Sequence, residues 1–212
     1  MILDVRKLDS FSDDLYLSAY RQLSPVRRAR IDRLYAAEDK RRSVFGEYLA
    51  RKMIGNKLCI PPEAVEITYS SNGKPLTGQT YFSISHSGEY VACAIDDSPI
   101  GIDIEHKLRC DPRLERMICT DHEREICESL SPEAREVFLL RLWVLKEACI
   151  KCNDQTLLQM RQIGFSFGRQ HTLLCDNSEL DCKLHYPFDD CVLAACTLRT
   201  REEHALRRSF PR

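Results

Sequence analysis

Between Glu38 and Leu58 the apolar positions Val44, Phe45, Tyr48, Leu49, Met53 and Leu58 recur at the three- and four-residue spacing of one helix face. A second long helix is predicted over Glu133–Cys152, where Val137, Phe138, Leu140, Leu142, Trp143, Leu145 and Ile150 make the surface apolar nearly all round. It reads as a central, buried helix. Helix starts are marked as well. Ser24-Pro25 and Ser131-Pro132 each set an N-cap serine before a proline at the first helical position, and Thr120-Asp121-His122-Glu123 has the spacing of a capping box. Elsewhere the period shortens to two: Tyr81–Ser85, Tyr90–Ile95 and Ile100–Ile104 alternate, and Val192–Leu198 is a candidate last strand. The turn-forming Asp96-Asp97-Ser98-Pro99 lies between two of these runs, so Tyr90–Ile104 is expected to be a β-hairpin. No Pro/Gly/Ser-rich linker and no repeat of fixed period divides the chain. A soft boundary near Pro99 leaves two halves, 1–99 and 100–212, each with a long helix and a few strands.

Composition narrows the class. The 212 residues are 43% hydrophobic and 30% charged, with a formal net charge of −1. A chain of this length buries about 70% of its unfolded surface and needs no staples. The balance argues against a disordered chain and against a polycation built for nucleic acid. No apolar run approaches the roughly 18 residues of a membrane span, and Asp4 interrupts the N-terminus where a signal peptide has its apolar stretch. A cytoplasmic location is expected. The eleven cysteines are an odd number, which favours reduced thiols over a disulfide framework. Cys149-Ile150-Lys151-Cys152 is a C-x-x-C, but it has no second knuckle and falls inside a helical pattern, so its thiols read as small hydrophobes.

The chemistry concentrates in two stretches. In Gly101-Ile102-Asp103-Ile104-Glu105, alternation turns Ile100, Ile102 and Ile104 toward the core and projects Asp103 and Glu105 together on the other face. Two carboxylates roughly 7 Å apart repel unless a cation lies between them. Gly101 leaves space for a ligand to approach. A solvent-facing strand with two acids fits the same letters. In Trp143-Val144-Leu145-Lys146-Glu147-Ala148-Cys149-Ile150-Lys151, Glu147 and Lys151 share a helix face. They could be a simple ion pair, yet charges on an otherwise apolar helix are costly unless something engages them. Asp103, Glu105 and Glu147 together would be an all-oxygen set suited to magnesium rather than zinc. Magnesium commonly shares its shell with substrate phosphates, so the set implies a phosphorylated ligand.

Positive charge clusters early, at Arg27, Arg28, Arg30, Arg33, Lys40, Arg41 and Arg42. A solvated helix face explains several of these; the density suggests an anionic partner, for which arginine offers bidentate contacts. Phe82-Ser83-Ile84-Ser85-His86-Ser87-Gly88 ends a strand in hydroxyls, an imidazole and a glycine, a turn able to meet phosphate. Asn72-Gly73-Lys74-Pro75 is a turn that exposes Lys74.

In this order these segments resemble the Sfp-type 4′-phosphopantetheinyl transferases. The likeness runs from about Leu23 to Lys151 through Leu23-Ser24-Pro25, Asp39-Lys40-Arg41-Arg42-Ser43, Asn72-Gly73-Lys74-Pro75, Ile84-Ser85-His86-Ser87-Gly88, Gly101–Glu105 and Trp143…Lys146-Glu147-Ala148…Lys151. It implies an α+β fold of two similar halves related by pseudo-twofold symmetry, with coenzyme A bound between them. It also implies transfer of the phosphopantetheine arm to a serine of an apo acyl- or peptidyl-carrier protein, with release of 3′,5′-ADP. By the same resemblance Asp103, Glu105 and Glu147 match the Mg2+ ligands. Arg42, Lys74, Ser85 and His86 match contacts to adenosine and its 3′-phosphate, and Arg27 and Arg30 match basic positions near that phosphate. Glu147 would serve as the base for the serine hydroxyl, and Lys151 would stabilise or protonate the leaving phosphate. The contacts to coenzyme A would fall in residues 1–99, the metal site and catalytic helix in 100–212. A monomer is expected, with no nucleic-acid or membrane partner. The short trimeric holo-acyl-carrier-protein synthases are about half this length. A catalytically silent coenzyme A or carrier-protein binding module is the alternative, against which Asp103 and Glu147 are both present. The chain departs from the family after Lys151, where glycines are usual and Cys152-Asn153-Asp154-Gln155-Thr156-Leu157 stands instead.

Overall fold

The protein is described by a computed structural model covering residues 1–106, 112–167 and 173–199. The chain divides into two compact units, Met1–Asp97 and Ser98–Arg212. In the first, β1 (Ile2–Lys7) leads through α1 (Asp13–Gln22) and α2 (Pro25–Asp32) into the long α3 (Ala37–Leu58). Then come the short β2 (Thr68–Tyr69) and β3 (Pro75–Leu76), and the hairpin of β4 (Tyr81–Ser87) and β5 (Tyr90–Asp96). Ser24 caps α2 as expected, accepting the amide of Arg27 with Pro25 at the first position. α3 packs on the sheet so closely that a Cβ on Gly46 would press on Ile84. Leu49, Ala50, Met53 and Ile54 of α3 form a core with Phe82, Cys93 and Ile95.

The second unit holds β6 (Ile100–His106), α4 (Pro112–Ile118), α5 (Asp121–Ser129) and the 22-residue α6 (Pro132–Asn153), then β7 (Phe165–Phe167), β8 (Leu173–Cys175), β9 (Leu180–Phe188) and β10 (Cys191–Leu198). Ser131 caps α6, and the capping box at Thr120 forms in full. From Leu142 to Cys152 α6 is buried at most positions, lying on β6 and β10, while Val137 nearer its start is exposed. Pro187 is tolerated because β9 is the edge strand of its sheet and the register shifts beside it.

Both units run strand, helices, long helix, small two-stranded sheet, hairpin. Both main sheets place the first strand beside the last, in the orders β1-β5-β4 and β6-β10-β9, antiparallel throughout. The central strands, β5 and β10, are the most thoroughly buried, and small residues such as Ala92, Cys93, Ala94, Ala194, Ala195 and Cys196 fill both faces. The long helices end alike as well. Cys59 and Asp154 adopt left-handed φ values of 57° and 51°, and each helix returns its next amides to Gly55 O or Ile150 O. Asp154 is thus the residue that turns the glycine-poor run after Lys151, aspartate being one of the few L-residues that enter this region readily.

The hairpin expected over Tyr90–Ile104 does not form. β5 has both edges filled, by β1 and β4, and β6 pairs with β10 from Ile100↔Thr197 to His106↔Cys191. A turn cluster between two apolar runs announces a change of direction but not a pairing partner. The partner depends on which edge is open. Nor does β5 alternate, because a central strand covered on both faces has no polar side. Among the described residues, no helix is long and apolar enough to cross a membrane.

Candidate active site

Glu147 and Lys151 project from one face of α6 onto the strand face that carries Asp103 and Glu105. Helix and strand therefore converge, which sequence alone could only assume. The ammonium of Lys151 donates to Asp103 Oδ1 at 2.7 Å, so Lys151 pairs across to the strand rather than back to Glu147. Asp103 is 4% exposed, which removes the reading of a solvent-facing acidic strand. The isoleucines Ile100, Ile102 and Ile104 are buried on the reverse face of β6. Gly101 has a different reason from the one its sequence suggested. A Cβ there would overlap the carbonyl oxygen of Ala148 and the backbone nitrogen of Cys152. Its missing side chain is filled by α6 itself, not by a ligand, and that close approach sets the four charged groups against one another.

The electrostatics follow from this crowding. Burial, with the carboxylates of Asp103 and Glu105 nearby, pushes the Glu147 carboxyl up to about 7, against the opposing pull of Lys151. For Lys151, burial works against the charge, but Asp103 and Glu147 outweigh it and hold the ammonium's pKa above its ordinary value. Glu105 is oriented by the indole N–H of Trp143, which donates to Oε1 at 3.3 Å. Three carboxylates against one ammonium leave a surplus of negative charge, with Glu147 the least comfortable as an anion. An oxygen-only donor set in that state fits a hard divalent cation.

Lys146, next to Glu147, points the other way. It is fully buried, as is Glu123, and its ammonium donates to Glu123 Oε2 and Ile118 O, both at 2.6 Å. Glu123 also accepts the amides of Thr120 and Phe165, so the capping-box glutamate of α5 doubles as the counter-ion of α6. Sequence reasoning assigned neither residue this role. The signal was available in a lysine set among Leu142, Val144, Leu145, Ala148 and Cys149, which is a buried charge and must have a partner.

The basic residues of the first unit fall into two groups. Arg27 and Arg30 of α2 both face the β2–β3 hairpin. Arg27 donates to Glu47 Oε2 at 3.2 Å and lies over the ring of Tyr69. Tyr69 donates to the same carboxylate, and Arg51 completes the buried set from Glu47 Oε1 to Val65 O. Arg27 is thus turned inward. Arg30 is exposed, its guanidinium against Gly73, whose φ of 83° makes the turn before Lys74; Lys74 itself is half-buried, not exposed as the turn alone suggested. In the second group, Arg42 of α3 pairs with Asp39 and donates to Gly88 O at 2.5 Å, at the β4–β5 turn. Ser85 and His86 stand beside that turn on opposite faces of β4: Ser85 is buried, and His86 is exposed on the side of Ile84. Arg41, by contrast, fastens α3 to α1 through Asp13 and the ring of Tyr16, while lying over Phe45 of its own helix.

Residues 99–196 match the 4′-phosphopantetheinyl transferase superfamily, and residues 10–98 match the family described as 4′-phosphopantetheinyl transferase, N-terminal. The chain is 33% identical over 189 residues to the 4′-phosphopantetheinyl transferase psf-1 of Bacillus pumilus, covering 83% of this chain and 81% of that protein. It is 32% identical over 183 residues to the 4′-phosphopantetheinyl transferase HetI of a Nostoc strain, covering 81% and 77%. With the 4′-phosphopantetheinyl transferase Sfp of Bacillus subtilis it shares 30% identity over 132 residues, covering 61% and 59%.

Proposed function

The chain belongs to the Sfp-type 4′-phosphopantetheinyl transferases, and from that premise we propose that it transfers the phosphopantetheine arm of coenzyme A to a serine of an apo acyl- or peptidyl-carrier protein, releasing 3′,5′-ADP. The observation that supports this reading most is the convergence of Asp103, Glu105, Glu147 and Lys151 on the β6–α6 face. Asp103, Glu105 and Glu147 would hold Mg2+, which when bound supplies charge neutralisation for the pyrophosphate. The serine oxygen forms a new bond to the β-phosphorus of coenzyme A as the bond to the ADP oxygen breaks. Glu147, with a carboxyl near 7, is suited to take the hydroxyl proton at neutral pH. Lys151, held by Asp103, keeps a positive charge for the departing phosphate oxygen, and it cannot swing freely. Positioning and electrostatics carry most of such a reaction.

In the same reading Arg30, Lys74, Arg42 and His86 meet the adenosine and its 3′-phosphate. Buried Ser85 and the inward Arg27 shape those surfaces. On the sequence grounds given above, the enzyme is expected to act as a cytoplasmic monomer. The test is the intact mass of apo carrier proteins after incubation with the enzyme, coenzyme A and magnesium. A gain of about 340 Da, one phosphopantetheine, that disappears with EDTA is expected. Asp103→Asn should abolish the gain in a protein that still unfolds cooperatively. Normal transfer by that variant would remove Asp103 from the metal site. No gain on any carrier class would leave a silent binding module.

A further inference from the structure

Behind the α6 face that carries Glu147 and Lys151, five cysteines from four elements meet in the core of the second unit. Cys149 and Cys152 come from α6, Cys175 from β8, Cys182 from β9 and Cys196 from β10. Cys149 Sγ lies 3.4 Å from Cys182 Sγ, and Cys182 Sγ lies 3.4 Å from Cys196 Sγ. The three sulfurs all fall within 4.8 Å of one another. Cys175 adjoins Cys149 and Cys182 from outside this triangle, and Cys152 adjoins Cys196 from the other side while donating to Pro99 O at 3.3 Å. Cys149 of the C-x-x-C therefore finds its partner thiols on the hairpin β9–β10, at positions that oppose each other in its ladder. Those positions are 33 and 47 residues beyond Cys149 in the chain, so no local spacing could reveal them.

We propose that Cys149, Cys182 and Cys196, with Cys175 as the fourth ligand, form a binding site for a thiophilic ion, zinc. Tetrahedral zinc with Zn–S bonds of about 2.3 Å holds its sulfurs roughly 3.8 Å apart, close to the spacing found. A disulfide joins two sulfurs at about 2.05 Å and leaves the others over; here three share one centre and a fourth touches two of them. Cys175 is preferred to Cys152 because it adjoins two members of the triangle, whereas Cys152 adjoins one and is engaged by a carbonyl. The half-buried state of Cys175 and Cys182 gives an ion a way in. The ion would tie the catalytic helix to β8, β9 and β10, and soft sulfur donors keep it distinct from the oxygen site on the other face of α6.

The experiment is made on the full chain. Protein from zinc-supplemented medium is expected to carry one zinc per chain by elemental analysis. Protein from cobalt-supplemented medium is expected to show thiolate-to-cobalt charge transfer in the near ultraviolet, together with the intense visible bands of tetrahedral cobalt. Cys182→Ser should lose both signals. Cys152→Ala and Glu147→Gln should keep them, which separates this site from the carboxylates and makes the outcome independent of transferase activity. Wild-type protein that is metal-free with reduced thiols would overturn the proposal even if every variant failed to fold. So would a disulfide seen as a mass loss, or cobalt bands that depend on Glu147.

Discussion

Glu147 is where the second unit's electrostatics can be tested most directly. Its carboxyl holds its proton up to about 7 in the folded protein, against an ordinary value of 4.5. Between those two values the folded chain binds more protons than the unfolded one, so this group's contribution to stability falls as pH rises through the window. Above it, the ionised carboxylate carries a cost on the order of 2–3 kcal/mol, after allowing for solvent screening of a half-buried group. Glu147→Gln should therefore stabilise the metal-free protein by about that amount near pH 8 and not at all below pH 4.5, with urea titrations at both pH values as the measurement. A gain independent of pH would mean that packing, not charge, is responsible. The identity of this residue was legible in the sequence from a charge on an apolar helix. Its perturbation was not, because that depends first on burial and then on Asp103 and Glu105, more than forty positions away, all of which only the fold supplies.

At the scale of elements, α6 is held from three directions: through Gly101 onto β6, through the apolar contacts with β10, and through Lys146 to the start of α5. The first and last leave little tolerance, since one is backbone against backbone and the other a fully buried ion pair. Removing one partner of such a pair strands the other, at a cost of about 3–5 kcal/mol, whereas replacing both by apolar groups can be close to neutral. Lys146→Met should accordingly lower stability by several kcal/mol, and Glu123→Leu in the same chain should recover a large part of it in denaturant titrations. A double variant no more stable than the single one would assign the loss to the amides of Thr120 and Phe165, which Glu123 also receives. Both long helices, the caps Ser24, Thr120 and Ser131, and the strands Tyr81–Ser87 and Ile100–His106 were readable because period and capping are local properties. Strands β7, β8 and β9 were not. β7 and β8 span three residues each, too few to show a period, and the alternation that Leu180–Phe188 does carry contains Pro187, which argues against a strand interior.

For the whole molecule, the sequence carries no visible repeat, yet each unit builds the same order of elements and the same sheet order. The likeness of the two units lies in burial and topology rather than in letters: β5 and β10 share small apolar side chains, and α3 and α6 share a left-handed exit made by Cys59 and Asp154. Strand pairing was legible least, since β6 finds its partner some 90 residues later and only the completed second unit brings the two together. The two proposed ions belong to this scale, because chelation acts on both at once. EDTA treatment should abolish transfer and also lower Tm, as any ion that binds the folded state stabilises it. The two effects should then separate on repletion. Magnesium alone should restore transfer while leaving Tm at its chelated value, because the carboxylates bind weakly and contribute little to folding. One equivalent of zinc should restore Tm and not transfer. Recovery of both by magnesium alone would leave a single oxygen site and return the five cysteines to the role of small hydrophobes in a core that needs no metal.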